Sequence, residues 1–396
     1  MSAPGSAPAT APAPAPATAP VIVAARRTPI GTAGGVLRDL AADELAAPVL
    51  RALLADAGLT TVDDVLLGNV FGPGGNTARA DALRAGLAAG VPGLTVDRQC
   101  ASGLAAITVA AALIRAGEGE AYLAGGVESA STAPHRLWRT DPPQAYTRAP
   151  FAPAELGDPE MGEAADLVAA EAGISRERQD RFALRSHERA VAARAAGRFD
   201  DELVEVAGVR RDQRPRAGFT AARLARFRPA FTENGTATAA NSCGVSDGAA
   251  AVLIVSERVR RERNLPGLRL VVSATSGCDP RRLGLGVVPA LREVLEYGTP
   301  QVTEFTEAFA GQALACLDAA GLDEETVNRD GGAIALGHPW GASGAVLAVR
   351  LFAQLVRQGR GGSGLTALSA GGGLGVAALW QAVGPDGEPV PPGGAR

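Results

Sequence analysis

The chain has 396 residues, of which 46% are hydrophobic, so it can bury a large core and suits about two or three domain-sized units. Its formal net charge of −4 gives no reason to expect a nucleic-acid partner. All 38 basic residues are arginine, which excludes Schiff-base chemistry and lysine general bases.

The four cysteines are widely spaced and form no C-x-x-C pair; they are Cys100, Cys243, Cys278 and Cys316. This spacing argues against a disulfide framework and against a thiolate zinc site. We therefore expect no metal and a reducing, cytoplasmic location. No apolar run reaches the roughly 20 residues of a membrane span, so we expect no membrane partner.

Both ends of the chain have the composition of tails. Residues 1–20 repeat Ala, Pro and Thr without charge, which predicts a disordered segment. This segment lacks the apolar region of a signal peptide and the arginines of a transit peptide. Residues 384–396 are rich in Pro and Gly, which predicts a second flexible tail.

A candidate nucleophile stands at Cys100, in the stretch VDRQCASGLAAITVAAALI. A polar strand end precedes this thiol and a helix of small apolar residues follows it. The dipole and free N–H groups of a helix N-terminus lower the pKa of a thiol. A buried, inert cysteine fits the same placement about equally well.

A second segment favours the nucleophile. The stretch GGAIALGHPWGASGA, residues 331–345, places His338 in a glycine-rich turn before another helix of small residues. The chain has only three histidines, so few residues can serve as a base for a thiol. His187 lies within a predicted helix and is expected to be structural, and His135 is the alternative base.

The two segments belong to two similar halves of the chain. Each half opens with an apolar strand, at 21–29 and 268–276, and each small-residue helix precedes a strand that ends in glycines, at 121–129 and 365–375. The repeated order predicts an internal duplication of a strand, helix, strand, helix, strand unit. Chance similarity between Ala- and Gly-rich segments is the alternative, and the matched order of elements favours duplication.

A region rich in Pro and Arg, 127–238, lies between the two halves and predicts an inserted surface subdomain. Ser175 is the predicted N-cap of its main helix, with Glu177 in the first turn. Its arginines suit either a phosphorylated ligand or a solvated face, and charge alone favours the solvated face. The predicted boundaries are 21–126 with 239–260 for the N-terminal half, 127–238 for the insert and 261–383 for the C-terminal half.

These motifs resemble those of the thiolases, CoA-dependent acyltransferases that make or break β-ketoacyl thioesters. The resemblance covers residues 21–383 and rests on five blocks in the family's order: VDRQCASGLAAI, GVSDGAA, TEAFA, GGAIALGHPWGASGA and SAGGGLG. It implies an α/β protein with a five-layered α-β-α-β-α fold built from two duplicated halves, an inserted loop domain that covers CoA, and a homodimer or homotetramer. It also implies an acyl-CoA or acyl-carrier-protein thioester as substrate, with no permanently bound cofactor.

The resemblance further implies roles for individual residues. Cys100 would take the acyl group, and its backbone N–H and that of Gly371 would form an oxyanion hole. His338 would activate Cys100. Met161 and Phe309 would line the substrate site.

Four residues depart from the family's pattern. Thr306 replaces an asparagine that fixes a water in a second oxyanion hole, and Ser369 replaces the second cysteine of the family. Glu160 replaces the histidine of a His-Met pair that flanks pantetheine, and Cys243 replaces a serine near the thioester. Three of these changes, Thr306, Ser369 and Glu160, fall at the catalytic centre while the scaffold motifs remain, which favours altered chemistry over neutral drift.

The Ser369 substitution has the largest consequence, because the family's second cysteine moves the proton of the substrate α-carbon. A serine hydroxyl has a pKa far above the roughly 8.5 of a thiol. Three hypotheses follow. The working hypothesis is an atypical thiolase in which His338 or Cys243 replaces the missing base. The alternatives are a decarboxylative ketosynthase-type enzyme, and an acyltransferase or thioesterase without carbon–carbon chemistry. A non-enzymatic scaffold is the weakest reading, and Cys278 and Cys316 are expected to be structural.

Overall fold

The structure is a computed structural model that describes residues 16–393. The strands are β1 (Pro20–Arg27), β2 (Gly31–Thr32), β3 (Asp64–Gly68), β4 (Leu94–Val96), β5 (Ala121–Glu128), β6 (Arg136–Trp138), β7 (Gln144–Tyr146), β8 (Ser246–Ser256), β9 (Gly267–Gly277), β10 (Val302–Phe305), β11 (Ser363–Ala370) and β12 (Leu374–Val383). The helices are α1 (Ala42–Ala57), α2 (Thr77–Arg84), α3 (Ser102–Ala116), α4 (Met161–Glu171), α5 (Arg176–Ala195), α6 (Ala221–Leu224), α7 (Glu257–Glu262), α8 (Val288–Leu295), α9 (Ala310–Ala320), α10 (Ala333–Leu336) and α11 (Trp340–Phe352). Short turns of 3₁₀ or π helix cover Ala154–Leu156, Pro280–Leu285 and Ala353–Arg357.

The main sheet repeats one topology twice. Its order is β10-β11-β12-β9-β1-β8-β5-β3-β4. In the N-terminal half, β1, β8, β5 and β3 pair in turn as antiparallel, antiparallel and parallel neighbours. In the C-terminal half, β9, β12, β11 and β10 pair in the same way. A short antiparallel contact between β1 and β9 joins the halves, so the fold contains the predicted duplication.

Helices and sheet regions alternate in five layers, as predicted. α3 and α11 pack against each other and against strands of both halves, within one large buried cluster. α1 covers the outer face of the N-terminal half, and α8 covers the outer face of the C-terminal half. The small apolar residues of α3 and α11 suit the central layer, because a helix that is apolar all round must be buried.

Length and composition alone would let 18 residues, Gln99–Ala116, cross a membrane, at a mean hydropathy of 1.4. These residues include α3, and 61% of the stretch is buried inside the structure. Packing in the central layer accounts for their apolar character.

Three glycines allow the central helices to approach until backbone meets backbone. A Cβ atom added to Gly126 of β5 would lie 2.0 Å from the carbonyl oxygen of Gly341 in α11. A Cβ atom added to Gly344 would lie 2.5 Å from the backbone nitrogen of Leu104 in α3. A side chain at Gly344 would push α11 away from α3, and one at Gly126 would push α11 away from β5, so these glycines fix how closely α11 packs against both.

The insert carries the predicted helix and packs against the scaffold. Ser175 caps α5, because its Oγ accepts a hydrogen bond from the backbone N–H of Arg178 at 3.2 Å. His187 of α5 is buried and its Nδ1 accepts a hydrogen bond from the N–H of Arg216 at 3.3 Å. These contacts agree with a structural role for His187. The domain boundaries themselves stay a prediction.

A buried ionic network ties the insert to both halves. Glu202 of the insert accepts a hydrogen bond from Arg27 of β1 at 2.7 Å and forms an ion pair with Arg350 of α11. Arg27 also pairs with Asp212 at 2.7 Å, and Arg350 pairs with Asp330 at 2.5 Å. Because buried charges need partners, these five side chains hold the insert in one place on the scaffold.

Only part of each predicted tail is described. Residues 1–15 and 394–396 lie outside the described residues. At the N-terminal end, the carbonyl of Ala19 accepts a hydrogen bond from the N–H of Glu257 at 2.8 Å. At the C-terminal end, residues 384–393 fold back, with the N–H of Val390 donating to Ala382 at 2.9 Å. Hydrogen bonds to the rest of the fold therefore hold the described part of each end in place.

The glycine contact makes a prediction about stability. Gly126→Ala should lower the free energy of unfolding by about 1–3 kcal/mol or more, because the new methyl group overlaps the carbonyl of Gly341. The matched control is Gly90→Ala, since nothing lies within 4 Å of a Cβ atom at Gly90. Urea denaturation measures both variants, and equal midpoints would contradict the close approach.

Candidate active site

Cys100 lies in a constrained turn at the start of α3. Gln99 adopts a left-handed backbone conformation, with φ of 50°, which costs a non-glycine residue about 1–2 kcal/mol. The N–H of Gln99 donates to Asp97 Oδ1 at 2.8 Å. Ser102 accepts a hydrogen bond from the N–H of Arg98 at 2.8 Å and donates to the carbonyl of Gln99 at 2.6 Å. These local bonds hold the turn that presents the thiol.

The Cys100 side chain faces a narrow cavity. The cavity has a volume of about 20 Å³, which holds about one water-sized molecule. Three of the predicted site residues, Met161, Phe309 and Ser369, line it. The remaining lining residues are Ala165, Leu283, Gly284, Ala308, Gln312 and Ala370.

Two backbone donors converge on the Cys100 thiol. Burial raises the pKa of Cys100 to about 12, while hydrogen bonds from the backbone N–H groups of Gly371 and of Cys100 itself act in the opposite direction. These are the two donors assigned to the oxyanion hole. The thiol is protonated at neutral pH and requires a base before it can attack.

His338 is the candidate base, in the turn between α10 and α11. Its backbone N–H lies 3.1 Å from Ser246 Oγ and 3.3 Å from the carbonyl oxygen of Gly244. Its side chain is buried, and within residues 16–393 its Nδ1 has no hydrogen-bond partner. Burial lowers the pKa of His338 to about 4, so the imidazole is neutral and able to accept a proton at pH 7.

Cys243 lies close to the block that contains Phe309. Its N–H donates to the carbonyl of Ala308 at 2.9 Å, and Ser242 pairs with Phe309 in a β-bridge. Burial raises the pKa of Cys243 to about 12, and a charge on Cys100 raises it further, whereas Arg214 lowers it. Cys243 is therefore close enough to Cys100 for a charge on Cys100 to raise its pKa.

Ser369 and Thr306 occupy different surroundings. The Ser369 hydroxyl donates to the carbonyl of Gly284 at 2.7 Å and accepts a hydrogen bond from the N–H of Val287 at 3.3 Å. Thr306 is buried beside a second small cavity, which is also lined by Gly337, the residue before His338. Thr306 thus lies on the histidine side of the site, and Ser369 lies on the cysteine side.

Glu160 and Met161 face different spaces although they are adjacent. Met161 reaches the Cys100 cavity. The Glu160 side chain is 69% exposed, pairs with Arg148 at 3.2 Å, and lines an outer cleft of about 700 Å³. His135, the alternative base, lines the same outer cleft, and neither His135 nor His338 lines the Cys100 cavity.

Two buried glutamates support the site and were missed as supporting residues by the sequence analysis. Glu128, at the end of β5, accepts hydrogen bonds from the N–H groups of Phe71 and Gly341 at 3.0 Å each. Burial raises the pKa of Glu128 to about 7. The only sequence signal was a carboxylate at the end of an otherwise apolar strand, AYLAGGVE.

Glu307 is the second supporting glutamate. It accepts hydrogen bonds from Ser186 Oγ at 2.6 Å, Asn328 Nδ2 at 2.8 Å and the N–H of Ile334 at 3.2 Å. Burial raises its pKa. These bonds connect the TEAFA block to α10, which leads into His338. Across residues 16–393, no group of three or more His, Cys, Asp or Glu side chains could hold a metal ion.

Family comparison agrees with this geometry. The family model for the thiolase N-terminal domain matches residues 20–258, and the model for the thiolase C-terminal domain matches residues 266–382. The chain belongs to the thiolase family. Both duplicated halves of this thiolase, including the segments around Cys100 and His338, lie within the matched ranges.

Individual relatives align over nearly their whole length. The acetyl-CoA acetyltransferase of Cupriavidus necator is 41% identical over 389 residues, which cover 90% of this chain and 98% of the relative. The crystal structure of the Bacillus anthracis acetyl-CoA acetyltransferase has a TM-score of 0.86 and 38% identity, covering 92% of this thiolase and 99% of that chain. Human mitochondrial 3-ketoacyl-CoA thiolase has a TM-score of 0.85 and 35% identity, with the same coverage. The predicted fold class is confirmed.

The buried histidines predict a loss of stability in acid. Burial lowers the pKa values of His187 and His338 to about 4 each, below their ordinary value of 6.5. Between these values the unfolded histidines bind more protons than the folded ones, so their contribution to stability is lost as the pH drops from about 6.5 to about 4. Glu128, whose pKa burial raises to about 7, acts in the opposite direction over the same range. Each histidine contributes a slope of at most about 1.4 kcal/mol per pH unit.

Urea denaturation across this pH range measures that slope. His338→Gln should flatten it, because the neutral amide cannot take up a proton. His135→Gln is the control for replacing an exposed histidine with glutamine. An unchanged slope in His338→Gln would mean that His338 does not titrate in this range.

Proposed function

We propose that this chain acts through an acyl-enzyme on Cys100, forming or cleaving a β-ketoacyl thioester with CoA as the acyl carrier. The observation that carries the proposal is the position of Cys100 on a cavity that Met161, Phe309 and Ser369 also line. The backbone N–H groups of Gly371 and Cys100 favour the thiolate there, against the effect of burial. The relatives named acetyl-CoA acetyltransferase and 3-ketoacyl-CoA thiolase support the same reaction class.

The first half-reaction transfers the acyl group to Cys100. Neutral His338 takes the thiol proton, and the thiolate attacks the carbonyl carbon of the thioester. The negative charge that develops on the carbonyl oxygen receives hydrogen bonds from the N–H groups of Gly371 and Cys100. His338 then returns the proton to the sulfur of the departing CoA.

The second half-reaction forms or breaks the carbon–carbon bond. It requires a proton at the α-carbon of an acetyl thioester to be moved, and Ser369 occupies the position next to the cavity where the family has a thiol. A decarboxylative condensation is the second candidate function, and Ser369 favours it, because loss of CO₂ generates the carbanion without a base.

The dimensions of the cavity favour a short acyl group. Met161, Leu283 and Phe309 bound it, so a long acyl chain would require these side chains to move. The ring of Phe309 is itself held edge-to-face by Phe231, with centroids 5.5 Å apart. We therefore propose acetyl-sized acyl groups as the substrates carried by Cys100.

We also propose a cytoplasmic homodimer or homotetramer. β4 is the last strand of the main sheet, and Leu94 at its start is 44% exposed. An apolar edge of this kind suits pairing with a second copy. Light scattering of the purified chain would measure the oligomeric state.

The acyl-enzyme predicts a single labelled residue. After incubation with acetyl-CoA, intact-mass analysis should show one acetyl group per chain, which is absent in Cys100→Ala and retained in the control Cys278→Ala. His338→Ala should lose the adduct as well, because an unactivated thiol is only a few per cent thiolate at pH 7. An adduct on Cys243 instead of Cys100 would contradict the mechanism.

The cavity predicts a preference for chain length. Acylation by acetyl-CoA should be faster than acylation by octanoyl-CoA, and Met161→Ala should narrow the difference by opening one wall of the cavity. Stopped-flow measurement of CoA release compares the two substrates. Equal rates in the unmodified protein would contradict the proposed limit on acyl size.

A further inference from the structure

Position 369 is a serine, but the thiol of Cys316 contacts its side chain. Cys316 belongs to α9 and is fully buried. Its Sγ lies 4.0 Å from Ser369 Oγ, a contact in which either atom can donate. From the sequence, Cys316 is expected to be structural, since it lies in the helix-like stretch FAGQALACLDAA.

Cys316 and Ser369 share one acceptor. The carbonyl oxygen of Gly284 accepts hydrogen bonds from Ser369 Oγ at 2.7 Å, from Cys316 Sγ at 3.1 Å and from Gln312 Nε2 at 2.9 Å. Gly284, Gln312 and Ser369 all line the cavity that Cys100 faces. The Cys316 thiol is therefore connected to the Cys100 cavity through its contact with Ser369.

Each member of the pair also has a donor that can stabilise negative charge. Gln312 Nε2 donates to the sulfur of Cys316 at 3.3 Å, and the backbone N–H of Val287 donates to the oxygen of Ser369 at 3.3 Å. Hydrogen bonds to the charged form of a group favour that form. These donors would therefore stabilise the negative charge that remains when a proton leaves Ser369 Oγ or Cys316 Sγ.

We propose that Ser369 and Cys316 form a proton relay for the α-carbon, in which Ser369 is the catalytic residue and Cys316 is the positioning residue that exchanges the proton through it. This inference rests on the proposed carbon–carbon chemistry of the chain. The heavy atoms stay in place, and only the hydroxyl and thiol hydrogens turn away from Gly284.

In the cleavage direction, the Cys100 thiolate adds to the keto carbon, and the bond between that carbon and the α-carbon breaks with its electron pair moving to the α-carbon. The Ser369 hydroxyl gives its proton to the α-carbon, and the Cys316 thiol gives its proton to Ser369. The acetyl thioester leaves neutral, and the negative charge stays on the sulfur of Cys316. His338 keeps the proton that it took from Cys100.

The cycle closes with the second substrate. Free CoA attacks the acyl group on Cys100, and the CoA thiol proton passes through Ser369 to Cys316. The Cys100 thiolate is released and recovers its proton from His338. Burial raises the pKa of Cys316 to about 12, so the resting relay is protonated at pH 7 and ready to donate. Synthesis uses the same steps in reverse.

Variants of Cys316 test the relay. Cys316→Ser preserves a hydrogen-bond donor to Gly284 and removes the thiol. It should lower acetoacetyl-CoA cleavage, and exchange of acetyl-CoA α-hydrogens with deuterium from solvent, by about 10²-fold or more. Acetylation of Cys100 should change less than twofold, because that step does not use the relay. Cys278→Ser is the matched control and should leave all three measurements unchanged.

A relocated thiol tests the mechanism against a structural role. In the double variant Cys316→Ser with Ser369→Cys, the thiol faces the cavity directly, and cleavage and exchange should recover. The increase in exchange rate with pH, which reports the thiolate of Cys316, should disappear in Cys316→Ser and return at lower pH in the double variant. Thermal melting identifies any variant that fails to fold, and Cys316→Val then provides a second, apolar replacement.

The outcomes separate the two proposals. If the unmodified protein cleaves acetoacetyl-CoA and Cys316→Ser cleaves it equally well, the relay is wrong and the proposed function stands. If the unmodified protein acetylates Cys100 but neither cleaves nor exchanges, the carbon–carbon chemistry and the relay are both wrong. If Cys100 is not acetylated, the proposed function is wrong from its first step.

Discussion

The backbone contact between α3 and α11 determines where chemistry can occur in this molecule. Glycine in a helix interior costs about 0.5–1 kcal/mol of stability relative to alanine. The close packing that it allows must therefore contribute more stability than this. Here the gain is a central layer in which 12 of the 13 residues of α11 and 9 of the 15 residues of α3 are buried. Once the two helices are this close, the turns that precede them, with Cys100 and His338, have fixed positions in the same part of the fold.

Burial affects the charge states of Cys100 and His338 together. It favours the neutral thiol of Cys100 and the neutral imidazole of His338. A proton moving from one to the other creates two charges in a region with little water, which is costly unless donors stabilise the thiolate. In the proposed mechanism, the N–H groups of Gly371 and Cys100 supply that stabilisation, and the substrate oxygen uses the same two donors after attack. The site therefore holds its charges only while a substrate is reacting.

Local sequence was sufficient for much of the fold and for the placement of Cys100 and His338 in turns that precede helices. The motifs around Cys100 and His338 combine a turn with a helix start, and such local geometry depends on neighbours in sequence. The partners of Glu128 and Glu307 come from distant segments, so their roles could not be read from the chain. The contact between Cys316 and Ser369 was hidden for the same reason. Gly284, which joins those two side chains, carries no side chain and gave no signal.

The repeated topology of the two halves has a consequence for the origin of the site. α3 and α11 occupy equivalent places in the repeat, each leading into the strand that pairs with the antiparallel strand of its half. Cys100 and His338 thus stand at the same architectural position in two copies of one unit. A symmetric ancestor with two identical subunits would have presented the same residue twice. In a single chain the two helix starts can differ, which allows one to hold the proposed nucleophile and the other its proposed base. The positive ends of both helix dipoles still converge there, so the shared centre favours negative charge whichever half supplies it.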